Sequence, residues 1–455
     1  MRVEPVSVPV AAPSGDSRSH EPVRLRVLLV PDSIHWITGT IARSIVEHNP
    51  WIDGTIISGP VLEIVAREKP FLFDAFDLVH FVCPYASRGW LPRLRDRLPV
   101  VTSHHHVSDE WELQRHNLDG DAIVVGSLQW AEDVEKRGAD PERVVCIPYG
   151  VDASRFVPGT QQEQIAIRKS LGIAPDAIVV GFFAKRSSNE RDRKGTDIFA
   201  AAVQALSCDL PRLAVLIIGP GWNELVAQLV ATGVTCIWQP FVRDAAEMPR
   251  MYRALDFYWV TARVEGGPVT LLEAMSTALC CITTPVGLAK QIIDDGVNGV
   301  VVPFDEVHAF VRHTLSLAAA PEHRANMGTG ARATILEQMD VPVTAQGVRK
   351  AYEIATTHFE ARTRNPHVPR VASYNPVTTL APALLLRIGL LEQLVWSEAL
   401  MLQQQRPMAF RIIAEEWMRH PLSSLPPRFL FRNILPPQLV RVLVRARHAV
   451  AGSKS

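Results

Sequence analysis

The sequence has no uninterrupted apolar run long enough to cross a bilayer, no paired-cysteine motif and no surplus of charge of either sign. The apolar stretch over 380–391 is broken by Pro382 and Arg387, well short of the roughly 20 apolar residues a spanning helix needs. Residues 1–23 are rich in Pro and Ser without the apolar core of a signal peptide, and they read as a disordered leader. The six cysteines are scattered. Only Cys280 and Cys281 are adjacent, and vicinal cysteines seldom bridge. Cysteines inside apolar runs suit reduced core residues, so the expected setting is cytoplasmic and not transmembrane.

Lys and Arg number 47, as do Asp and Glu, which excludes a strongly basic nucleic-acid binder and an acidic disordered chain. No nucleic-acid partner is expected. The balance is uneven along the chain, however. From residue 363 onward there are twelve Lys/Arg and four Glu, a surplus of eight positive charges, and the preceding residues carry the matching negative surplus. What is present is globular: 47% hydrophobic and 21% charged over 455 residues, enough for two or three domains.

The chain reads as alternating short apolar strands and helical segments, the pattern of a parallel α/β sheet. Strands fit 25–31, 76–83, 99–104, 122–127 and 143–150, with a Gly-containing loop "DSIHWITGT" leading to the helical "IARSIVEH". The pattern restarts after a polar stretch near 158–164, with strands at 177–183, 213–219, 235–241, 256–262, 280–285 and 299–304. A helix over about 344–362 closes the second unit. The expected fold is therefore α/β, with two Rossmann-like doubly wound domains over 24–160 and 161–362. A basic, helical appendage occupies 363–455. "GPGWNE" after the strand at 213–219 lacks the third glycine of a dinucleotide fingerprint, which argues against a dehydrogenase.

The most informative stretch is "EGGPVTLLEAMSTA" at 265–278, where a strand leads through Gly-Gly-Pro into a helix. Free amides at that helix N-terminus form an anion site. Gly266 and Gly267 would let a ligand approach the backbone, with Pro268 in the first turn. Glu265 lies in the loop ahead, and Glu273 lies about two turns along the helix. One carboxylate is then near the phosphate end, and the other can accept hydrogen bonds from sugar hydroxyls. The loop "FFAKRSSNERDRKG" offers Lys185, Arg186 and Lys194 as bases.

These features together resemble the donor-binding signature of the family 4 retaining glycosyltransferases, which have the GT-B fold. The resemblance is carried by "EGGPVTLLEAM", "TTPVGLAKQIIDDGVNGVVVP", "ERVVCIPYGVDASRF" and "MYRALDFYWVTA", in family order, across about residues 24–362. It implies a nucleotide-sugar donor held mainly by the second domain, an acceptor on the first domain, and no required metal or other cofactor. Glu273 would contact the donor ribose, and Glu265 would sit beside the transferred sugar and β-phosphate. The amides of Gly267, Pro268, Val269 and Thr270 would help hold the diphosphate. Lys194 matches the family's Lys-Gly, with Arg186 as its partner and Lys185 as the rival. Gly39 and Thr40 fall where the family has a Gly-rich loop facing the phosphates, and His104 matches a strand-end histidine that positions the transferred sugar.

The neighbouring His105 and His106 invite a metal reading, but adjacent strand positions alternate in direction and no partner set accompanies them. Asp119-Gly120-Asp121 precedes a strand, on the wrong side for a ligand, and reads as a turn. The chain departs from the family at Ala278 and Cys280, read as packing changes, and at Gln291, where the usual Glu is absent. The rival functions are a nucleotide-sugar epimerase or phosphorylase on the same fold, or a non-catalytic binding homologue. The acceptor's class stays open among glycan, lipid-linked and small-molecule compounds. In the appendage, Arg406, Arg411, Arg419, Arg428, Arg432, Arg441, Arg445 and Arg447 are interleaved with Trp396, Phe410, Trp417, Phe429 and Phe431. That composition suits a peripheral membrane surface, a partner subunit or the chain's own acidic body.

Overall fold

A computed structural model describes residues 24–105, 115–186, 191–240, 242, 246–363, 388–389 and 391–392. His106, Trp396 and the aromatic and arginine residues 406–447 named above lie outside them.

Two six-stranded sheets, each wholly parallel, form the body. The first contains β1 (Leu25–Val30), β2 (Ile52–Ile56), β3 (Leu78–Phe81), β4 (Val100–His104), β5 (Ala122–Val125) and β6 (Val144–Cys146), in the order β2-β1-β3-β4-β5-β6. The second contains β7 (Ile178–Phe183), β8 (Leu213–Ile218), β9 (Thr235–Gln239), β10 (Phe257–Val260), β11 (Cys280–Thr283) and β12 (Val300–Val301), in the order β12-β11-β10-β7-β8-β9. The central strands are apolar on both faces because helices cover both. Leu28 and Val30 enter one first-domain core cluster, and Val27 and Leu29 enter the other. The anticipated strands all form, with their ends trimmed. Strand β2 is the one that the pattern missed. Its "IDGTI" carries Asp53 and Gly54, and it lies at the sheet edge, where Gly54 leaves no room for a Cβ against Val46.

Strand order reverses between β1 and β3 in the first sheet and between β7 and β10 in the second. In open α/β sheets the crevice at such a reversal, beyond the strands' carboxyl ends, is where ligands bind. The loops bearing Lys185, Arg186 and Glu265 leave β7 and β10, on the two sides of the second reversal.

The closing helix corrects the sequence reading. It spans Val348–Thr363 and packs on the first sheet, not the second. Val348, Ala351, Tyr352 and Ala355 form a stripe at helical spacing that buries against Val27, Leu29, Leu78 and Val101. Its C-terminal half is pinned by Asp121, whose Oδ1 lies 2.9 Å from His358 Nδ1 and 3.2 Å from Arg362 Nη2. Asp121 Oδ2 also accepts from the Val100 amide at 3.0 Å, so this carboxylate serves the fold. Part of the basic appendage returns to the same domain. Ile388 and Leu391 enter the core cluster of Ile57, Val61 and Trp90, and Glu392 Oε1 accepts from the Ser58 amide at 2.7 Å. Among the described residues no helix is long and apolar enough to cross a membrane.

Candidate active site

The loop after β10 is built to meet the Lys194-Gly195 turn. Gly195 has φ of 62°, and a Cβ there would lie 1.8 Å from the Thr261 carbonyl oxygen. Only glycine allows both the left-handed backbone and that approach. Thr261 Oγ1 donates to the Gly195 carbonyl at 2.7 Å, and the Arg263 amide donates to the Arg193 carbonyl at 2.8 Å. Arg263 forms a bidentate pair with Asp197 at 2.9 and 2.8 Å and reaches Asp305 at 2.7 Å. That guanidinium holds the Asp197 carboxyl below its usual range. With both loops braced, Lys194 Nζ forms an ion pair with Glu265 Oε1, and both side chains are largely shielded from water.

The helix that follows spans Val269–Ser276, with Pro268 as its N-cap and not within its first turn. Proline has no N–H, so the amides available at this end belong to Gly267, Val269 and Thr270. Glu273 lies one turn further and accepts a 2.6 Å hydrogen bond from the Tyr252 hydroxyl. Burial lifts its carboxyl from the ordinary 4.5 to about 7, against the opposing effects of Tyr252 and Arg155.

Glu273 and Val269 line a cavity of about 430 Å3 whose other wall is the first domain. Thr40, Arg43, His80, Ser103, His104 and His105 come from that side. His104 ends β4 and is fully buried. His80 is held neutral by burial, its pKa lowered to about 3, with Nδ1 3.1 Å from the Tyr352 hydroxyl and Nε2 2.9 Å from Ser103 Oγ. Thr40 lines the cavity, whereas Gly39 does not. Both sit inside the helix Ile37–Glu47, which starts earlier than the anticipated loop allowed. A Cβ at Gly39 would fall 2.5 Å from the main chain of Ser33 and Ile34, so its bareness serves the fold of that turn.

Gly266 and Gly267 also differ from expectation. The space a Cβ would take at Gly266 is filled by the His105 carbonyl oxygen, 1.7 Å away, and that at Gly267 by the Tyr149 ring, 2.9 Å away. Their bare faces admit the first domain and the interdomain segment in this structure. The structure thus joins Lys194 to Glu265 and gathers His104, Thr40, Val269 and Glu273 around one cavity. Lys185 and Arg186 stand at the end of β7, with the Arg186 amide bonded to the Pro220 carbonyl at 2.9 Å. Sequence reasoning gave no role to Trp130, Tyr149, Arg155 and Tyr252, although Tyr149 and Arg155 lie in "ERVVCIPYGVDASRF" and Tyr252 lies in "MYRALDFYWVTA". Among the described residues no group of three or more His, Cys, Asp or Glu is arranged to hold a metal ion.

Two families match the chain: "Glycosyltransferase Family 4" over residues 6–155 and "Glycosyl transferases group 1" over 177–320. The D-inositol 3-phosphate glycosyltransferase of Xylanimonas cellulosilytica is 30% identical over 285 residues, covering 57% of this chain and 67% of the relative. Its counterpart in Actinosynnema mirum is 27% identical over 292 residues, covering 57% and 68%. Among solved structures, Anabaena HepE in complex with UDP and glucose superposes with a TM-score of 0.60 at 16% identity, over 72% of this chain and all of that one. Sucrose-phosphate synthase from Thermosynechococcus elongatus gives 0.57 at 16%, over 72% and 98%. The architecture is therefore that of the GT-B glycosyltransferases.

Proposed function

The chain belongs to the group 1 and family 4 glycosyltransferases, and from that membership we propose that it transfers a sugar from a nucleoside-diphosphate sugar to an acceptor hydroxyl with retention of anomeric configuration. The observation that carries the reading is the crevice itself. A lysine–glutamate pair sits at the reversal point of the second sheet, and a second carboxylate, Glu273, and the buried His104 both line one cavity between the domains.

In this reading the second domain holds the donor. Glu273 accepts hydrogen bonds from the ribose hydroxyls, which favours its ionised form. The amides of Gly267, Val269 and Thr270 hold the diphosphate. Lys194 and Arg186, with Lys185 beside them, neutralise the charge that builds on the leaving diphosphate, so no metal is required. Fixed charges aimed at developing charge are the largest electrostatic contribution available to such a site. Glu265 and His104 position the transferred sugar. The bond from the anomeric carbon to the phosphate oxygen breaks as the acceptor oxygen attacks from the same face. The acceptor's proton passes to the departing phosphate, and no protein nucleophile takes part.

A thermal-shift screen of UDP, GDP and ADP and their sugars tests donor binding, because a ligand that binds only the folded chain stabilises it by about 2.7 kcal/mol at a hundred times its Kd. One nucleotide is expected to raise the melting temperature of the wild type, with the shift largely lost in Glu273→Ala. No shift with any nucleotide would overturn the reading.

A further inference from the structure

One helical turn of the first domain touches the second domain at two places. The helix Leu128–Lys136 follows β5 and is capped by Ser127. Its first amide, Leu128 N–H, has no partner within its own helix. It donates instead to Gln291 Oε1 of the second domain at 2.9 Å. Two residues on, the Trp130 indole Nε1–H donates to the main-chain carbonyl of Glu265 at 3.0 Å. Gln291 lies on the short helix Ala289–Ile292 after β11, and Glu265 lies in the loop after β10. The two anchor points therefore belong to neighbouring loops at the carboxyl edge of the second sheet.

The surroundings make the contact specific. Val264, just ahead of Glu265, packs on the first-domain cluster of Ile123, Val125, Trp130, Val134 and Ala139. The His105 carbonyl fills the bare face of Gly266 from above. From within the second domain, Gly287 approaches the Glu265 and Gly266 carbonyls so closely that a Cβ would lie 2.5 and 2.3 Å from them. The Glu265-Gly266 backbone is thus clasped between the two domains, while the Glu265 carboxylate is directed to Lys194. Separating the domains removes the Trp130 and Gln291 bonds together and withdraws the His105 support.

We infer that Trp130 and Gln291 form an interdomain latch that places Glu265 for transfer only when the domains are closed. The inference rests on the proposed role of Glu265 beside the transferred sugar. Both are positioning residues: Trp130 holds the Glu265 backbone directly, and Gln291 holds the N-terminus of the helix that carries Trp130. The latch also gives Gln291 a use that asks only for a hydrogen-bond acceptor, which a carboxylate would supply equally well at a helix N-terminus.

The test uses the full chain with Gln291→Leu, Gln291→Glu and Trp130→Phe. Gln291 is exposed, so its variants keep the fold, whereas Trp130 is buried and its variant serves as the second line. Donor turnover and small-angle scattering of the nucleotide-free protein are the two readouts. Gln291→Leu and Trp130→Phe are expected to lower kcat about tenfold, with donor KM changed less than twofold, and to increase the radius of gyration. Gln291→Glu is expected to restore both values. A lost interaction made only in the transition state has this kinetic signature, whereas general loosening would weaken donor binding as well. Wild-type kcat and an unchanged radius in both disrupting variants would overturn the latch. A wild type that turns over no donor, alongside enlarged radii in the variants, would overturn the functional reading alone.

Discussion

Glu273 is the residue whose chemistry is most sharply defined. Its carboxyl is raised from 4.5 to about 7, chiefly by burial, so the folded chain binds this proton more tightly than the unfolded chain does. Its contribution to stability is therefore largest below about pH 4.5 and declines as pH rises through about 7. Nucleotide binding has the opposite sign, because ribose hydroxyls donate best to the carboxylate. Nucleoside-diphosphate affinity, taken as the ratio of wild type to Glu273→Gln so that the ligand's own titration cancels, is expected to rise several-fold between about pH 6 and 8. Calorimetric titration at stepped pH checks this, and a flat ratio would remove Glu273 from the ribose. The acid's position was legible from its place on the helix. Its raised pKa was not, because the burial that lifts it depends on parts of the chain remote from the helix, the first-domain wall of the cavity among them.

At the scale of the element, the helix Val269–Ser276 shows how a departure can be misread from sequence alone. From sequence alone Ala278 is a packing change, but it has φ of 59°. The Leu279 amide bonds back to the Ala274 carbonyl at 3.1 Å and the Ala278 amide to the Met275 carbonyl at 3.0 Å, the closing pattern that favours glycine just past a helix. Cys280, by contrast, is a packing residue as read, buried on β11 with its sulfur 3.5 Å from the Met327 sulfur. Left-handed backbone costs a non-glycine residue roughly 1–2 kcal/mol, partly offset by the extra freedom glycine loses on folding. Ala278→Gly is therefore expected to stabilise the chain by about 0.5–1 kcal/mol, read as a higher urea midpoint at unchanged slope. The strands were legible because apolar runs covered on both faces need no long-range information to recognise. The closing helix was placed on the wrong sheet because its stripe of Val348, Ala351, Tyr352 and Ala355 says that it is buried, not against what.

At the scale of the whole molecule, the neutral net charge conceals an acidic body and a basic appendage, and among the described residues Ile388, Leu391 and Glu392 tie the two by docking on the first domain. In the proposed reading, the body holds an anionic donor through a few local groups against its overall charge. That reading gives Lys185, Arg186 and Lys194, with bare amides at one sheet reversal, a shared task. The two-domain architecture was readable from the repeated strand pattern. The grip between the domains was not, because Trp130 and Gln291 meet their partners only after both sheets have formed. We propose above all that this crevice transfers sugar from a nucleotide. It is tested most directly by following nucleoside-diphosphate release from UDP-, GDP- and ADP-sugars with the wild type and Lys194→Ala. Removing one group that stabilises transition-state charge costs about a hundredfold to a thousandfold in rate. Release from one donor class by the wild type is expected, with a loss of that size in Lys194→Ala. Equal rates in the two proteins, or no release from any donor, would contradict it.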